Sequence, residues 1–180
     1  MTIIAIDPGF RDCGVAVFRD GKLIRCDHVK SKATGLVEAI QFSQTADAVM
    51  EFVADIVEGG HFDLAIEYPQ QYANSPAPRE SVQKLVGVIG ALASRVQATS
   101  GGLSVRVTTY KPREWKGQVP KEIMFDRILG RLDEDENKTL PNLSKTRLSH
   151  VYDAIGIGLH HLGRLKNVAA NAETLSSGLG

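Results

Sequence analysis

The sequence predicts an α/β fold, a mixed sheet flanked by helices, and three observations carry that prediction. Residues 2–29 hold three apolar stretches parted by turn residues, the pattern of an antiparallel meander. From residue 36 onward helical and strand periodicities alternate, which is how parallel strands are connected. The chain has 180 residues, 43% hydrophobic and 23% charged, about right for one globular domain.

Residues 2–7 and 13–19 read as the first two strands, joined by a turn over 7–12. Asp20 and Gly21 form a strong hairpin signal, and residues 22–29 give the third strand. A helix is expected over 36–58, with Ile40, Val49, Val53, Ile56 and Val57 at helical spacing and Gly59 and Gly60 as its stop. "FDLAIEYPQ" then supplies a short strand over 64–67, and residues 74–78 have loop composition.

The clearest helix covers 80–97, where Val82, Leu85, Ile89, Leu92 and Val96 step by three and four. Beside that stripe lies a face of small residues: Gly87, Gly90, Ala91 and Ser94. "LSVRVTTY" alternates like a strand, and a basic loop follows. Pro120 suits the first position of the next helix, lined by Phe125, Ile128, Leu129 and Leu132. Residues 133–145 read as a polar loop. The last helix runs from 147 to 165, with Leu148, Val151, Ile155, Leu159 and Leu162 inward. One domain is therefore expected over 1–165, with a small, polar, disordered tail over 166–180.

Composition excludes several classes. No apolar run approaches the ~20 residues of a membrane span. The start, MTIIAID, lacks a signal peptide's basic region and cleavage site, so a cytoplasmic location is expected. Cys13 and Cys26 make no disulfide framework and read as small core residues. Net charge is zero, which argues mildly against nucleic acid, but the charges are segregated. Arg106, Lys111, Arg113, Lys116 and Lys121 stand against the single acid Glu114, a local basic face able to hold phosphates.

Asp7 poses the functional question, because a carboxylate ending an apolar strand is costly unless something compensates it. Glu67 ends another strand in the same way, again with a proline close behind. Asp153 lies three residues after His150 on the last helix, so the two share a face. If the first and fourth strands are neighbours, Asp7 and Glu67 emerge side by side and the last helix brings Asp153 over them. Two carboxylates ~4 Å apart repel by roughly 4 kcal/mol at an effective dielectric of 20. A hard divalent cation removes that repulsion and uses the oxygens as ligands. Two such ions can activate a water and stabilise a leaving oxygen, which is the chemistry of phosphodiester hydrolysis.

"IAIDPGFRDCGVAVF", "DLAIEYPQ", "SVQKLVGVIGALASRV", the "PREWKG…PK" loop and "HVYDAIGIGL" occur in one order between about residues 2 and 164. In that set the chain resembles the RuvC family of Holliday junction resolvases, with their ribonuclease H-like fold. The resemblance implies a three-strand meander extended by parallel strands, and a two-metal endonuclease that cuts four-way DNA junctions in recombination and repair. It implies Mg²⁺, with Mn²⁺ as an alternative, and a homodimer formed through helix 80–97. By motif, Asp7, Glu67 and Asp153 match the metal-binding carboxylates. His150 matches a further ligand position, where it ligates a metal or passes a proton. Lys116 and Lys121 match lysines near the scissile phosphate, Lys121 holding it together with free helix amides. Lys111, Arg113, Arg79, Tyr68 and Tyr72 complete the expected DNA contacts, the tyrosines by stacking on bases.

The chain departs from that family pattern in two places. Gln70 stands where bacterial members carry a junction-opening aromatic, and the lysine loop is shorter, features that suit a phage-type member. Two other classes share some of these features. A non-catalytic branched-DNA-binding relative is consistent with zero net charge. An actin-like or sugar-kinase-like ATPase fragment shares the "IDPG" turn but would need a second phosphate loop that this sequence lacks.

Overall fold

A computed structural model describes residues 1–32, 37–57, 61–70, 79–99 and 105–165. The expected tail, the loop over 74–78 and the glycine stop at 59–60 lie outside the described residues.

The meander forms as expected. β1 (Thr2–Pro8) pairs antiparallel with β2 (Asp12–Arg19), and β2 pairs antiparallel with β3 (Lys22–Lys30). Asp20 (φ 51°) and Gly21 (φ 81°) both take positive φ in the two-residue turn, as a twist-compatible tight hairpin requires. β4 (Phe62–Glu67) then runs parallel to β1, and β5 (Arg106–Tyr110) parallel to β4. The strand order is β3-β2-β1-β4-β5.

Two-residue alternation splits the core between the faces. Ile4, Ile6, Leu64 and Ile66 pack against α1 (Glu38–Phe52), α2 (Ala54–Val57) and α3 (Arg79–Thr99). Ile3, Ala5 and Ala65 face α5 (Lys121–Leu129) and α7 (Lys145–His161). Both cysteines are buried and free. Gly14 lets α7 lie directly on β2: a Cβ there would run into the His150 backbone. At the C-terminal end of α7, His161 bonds the Tyr110 hydroxyl through Nδ1 at 2.9 Å and Asp63 through Nε2 at 3.2 Å.

Four expectations need correction. The helix over 36–58 breaks at Val53, and its Ile40 is exposed while Gln41, Thr45 and Ala46 turn inward. The stretch 133–145 is not all loop. Asp133 and Glu136 form a reciprocal capping box that starts α6 (Glu134–Lys138). Glu136 is buried there, accepting from the Leu23 amide and, bidentately, from Arg164. The basic loop contains a helical turn, α4 (Pro112–Trp115). The small face of α3 is divided: a Cβ on Gly87 would strike Phe42 of α1, whereas nothing lies within 4 Å of one on Gly90.

Candidate active site

Strand alternation decides where the carboxylates point. Asp7 follows Ile3 and Ala5 on the α7 side of β1, and Glu67 follows Ala65 on the same side of β4. The parallel register pairs Ile6 with Ile66, so Asp7 and Glu67 leave the same end of adjacent strands. α7 crosses that end with its first turns. His150 Nδ1 lies 2.7 Å from Asp7 Oδ2, and Asp153, one turn on, faces the same cluster.

Asp7 is buried, and the side chains of Glu67 and Asp153 are only 15% and 14% exposed. Burial pushes the Glu67 carboxyl up to about 7, with Asp7 and Asp153 adding to the rise against the pull of Lys116. Burial also raises Asp153, and Asp7 adds to it. His150 moves upward because it bonds Asp7. This is the behaviour of anions held together with too little compensating positive charge. What compensation exists comes from the basic segment. Lys116 Nζ is 3.4 Å from Glu67 Oε2, and Lys121 Nζ is 4.0 Å from Asp153 Oδ2. The Trp115 indole N–H donates to Glu67 Oε2 at 2.7 Å.

The structure thus brings together Asp7, Glu67, His150, Asp153, Lys116 and Lys121. Tyr68 stands exposed directly after Glu67, its amide bonded to the Tyr110 carbonyl. Lys111, which precedes α4, and Arg113 on it are exposed, and Arg79 is exposed at the start of α3, with no contact among the described residues tying it to the cluster. Tyr72 lies outside the described residues. Among the described residues, no three or more His, Cys, Asp or Glu side chains are arranged to hold a metal ion. Glu67 Oε2 is turned to Trp115 and Lys116, Asp7 Oδ2 to His150 and Asp153 Oδ2 to Lys121. The donor set still fits a hard cation: buried Asp7 and the largely buried Glu67 and Asp153, whose mutual repulsion a divalent ion would remove, beside the His150 imidazole.

Sequence reasoning missed Trp115 and the Asp12–His28 pair. His28 Nε2 is 3.4 Å from Asp12 Oδ2, and its ring lies 5.7 Å from that of His150. The "PREWKG" stretch held the signal for Trp115, since a buried indole needs an acceptor. Trp115 also fills the space above Gly156, where a Cβ would collide with its ring. Trp115→Phe keeps an aromatic ring at that position, with a smaller loss of packing than alanine, and removes the donor. Hydrogen bonds to charged groups contribute about 1.5–3 kcal/mol, so activity depending on Glu67 should fall roughly 10- to 100-fold. The thermal midpoint should move far less than in Trp115→Ala, where a cavity costs about 3–5 kcal/mol.

No protein-family model matches the sequence, and no curated relative matches it. Solved structures do match. RuvC of Thermus thermophilus in complex with a Holliday junction substrate superposes with a TM-score of 0.64 at 23% identity, covering 89% of this chain and 92% of that one. A second Thermus thermophilus RuvC structure gives 0.59 at 20% identity, covering 91% and 98%. Ydc2, the yeast mitochondrial Holliday junction resolvase, gives 0.60 at 11% identity, covering 96% and 83%. The likeness establishes the fold, the one these resolvase structures share.

Proposed function

We propose that this chain is a RuvC-type, metal-dependent endonuclease that hydrolyses phosphodiester bonds in branched DNA, four-way junctions among them. The observation that carries the proposal is the convergence of Asp7, Glu67 and Asp153 at one end of the parallel β1–β4 pair, under the start of α7. The fold shared with RuvC supports it. Asp7, Glu67, His150 and Asp153 would hold Mg²⁺ or Mn²⁺. Bound there, the ions would supply an activated water and stabilise the leaving oxygen. Trp115 fixes the orientation of Glu67. Lys116 and Lys121 border the carboxylates and would bind the scissile phosphate, Lys121 from the first turn of α5. His150 holds Asp7 in place and can carry a proton on its ring. A second copy, approaching over the open Gly90 side of α3, would cut the opposite strand.

A purified sample incubated with synthetic four-way junction, fork, flap and linear duplex, with and without Mg²⁺ or Mn²⁺, tests this directly. The expected result is cation-dependent cutting of branched DNA with linear duplex spared. Binding of junction without cutting in either ion would overturn the catalytic reading in favour of a DNA-binding relative.

A further inference from the structure

Beyond the carboxylates, a second groove opens between α5 and α7, about 310 Å³ in volume and lined by Lys121, Glu122, Phe125, Lys145, Thr146 and Ser149. It adjoins the smaller cavity, about 200 Å³, that contains Asp153 and Lys116, and Lys121 forms the wall common to both. From the geometry we infer that this groove is a second phosphate-binding subsite, which takes the DNA backbone next to the phosphate held at the carboxylates, with Lys145 and Thr146 as its contacts. The inference rests on the nuclease reading above and extends it to residues that reading does not use.

The charges and the floor suit that occupant. Lys121 already leans toward Asp153, whereas Lys145 is exposed and makes no ion pair among the described residues. Its ammonium is therefore available to an incoming anion. Thr146 is exposed beside it, with its carbonyl engaged by the buried Ser149 hydroxyl at 2.7 Å. Phe125 forms an apolar floor, packed on Tyr152 at 4.9 Å between ring centres, with the Lys121 ammonium 5.5 Å above its own ring. Such a floor fits the sugar that separates two phosphates. Neither Pro120 nor Ser144 gives its helix a side-chain cap, so first-turn amides on both walls add to the positive potential. Glu122 is the acid on this wall, and it opposes an anion.

Fluorescent four-way junction, titrated against wild type, Lys145→Ala and Glu122→Gln over a series of salt concentrations in Ca²⁺ or EDTA, reads the subsite. Lys145→Ala should bind about five- to tenfold more weakly at 0.1 M salt, with the log–log salt slope flattened by about 0.9. Glu122→Gln should bind more tightly than wild type, a direction that damage to the fold does not produce. Wild-type binding with both variants unchanged, while Lys116→Ala loses affinity and slope, would overturn the subsite and leave the nuclease reading intact. A wild type that does not bind the junction at all would overturn both.

Discussion

Asp7→Asn is expected to abolish junction cutting while leaving junction affinity within a few-fold of wild type. The substitution keeps the shape of the side chain and its contact with His150, 2.7 Å away, and removes one negative charge from the buried cluster. Metal-ion catalysis supplies several kcal/mol to such hydrolyses. A loss of roughly 4 kcal/mol is about a thousandfold in rate. Single-turnover cleavage of a labelled junction measures it. Thermal unfolding provides a second reading: Mg²⁺ or Mn²⁺ should raise the midpoint of the wild type, as ions that bind only a folded chain do, and should leave Asp7→Asn unmoved. Cutting at the wild-type rate in Asp7→Asn would remove the carboxylate cluster from the chemistry.

The second large effect falls on stability. Gly14 sits on β2 directly beneath α7, and a methyl group there would occupy the space of the His150 carbonyl and the Val151 amide. Backbone cannot rotate aside as a side chain can, so relief requires α7 to lift from the sheet. Overpacking costs about 1–3 kcal/mol and occasionally more, and Gly14→Ala belongs at the upper end. For a domain of this size about 3 kcal/mol corresponds to roughly 6–12 °C in the unfolding midpoint. Lifting α7 also moves His150 and Asp153, so cleavage should drop even well below the midpoint. Gly90→Ala is the matched control. Its site is open and helical, and it should gain up to about 1 kcal/mol. Equal midpoints for the two variants would show that α7 does not rest on Gly14.

The parts of this architecture that sequence made readable are those governed by short-range rules. The Asp20 and Gly21 turn, the apolar alternation of β1 and β2, and the i, i+3 spacing of His150 and Asp153 each follow from local geometry. Asp7 and Glu67 stood out because each carboxylate ends an apolar run. What was not readable depends on partners far away in the chain. Glu136 looks like one acid in a polar loop until Arg164 and the Leu23 amide are found around it. The D-x-x-E spacing of its capping box was present, but no apolar run followed to mark a helix. Ile40 fits a helical stripe with Val49, yet beside Val49 the buried side of α1 carries Gln41, Thr45 and Ala46. Trp115 is readable as an indole in need of an acceptor, but nothing local says that the acceptor is Glu67, 48 positions away in the sequence.

The His161 contacts with Asp63 and Tyr110 have a mechanical consequence. Asp153 and His161 are eight residues apart on α7, about 12 Å along its axis. Clamping the distal end to two strands of the sheet limits the helix's axial movement, so the end that carries His150 and Asp153 is held in register by a fastening remote from both. Catalytic groups tolerate only about half an ångström of error, and a beam pinned at its far end is one way a small domain can stay within that tolerance while a bulky substrate pulls on the other.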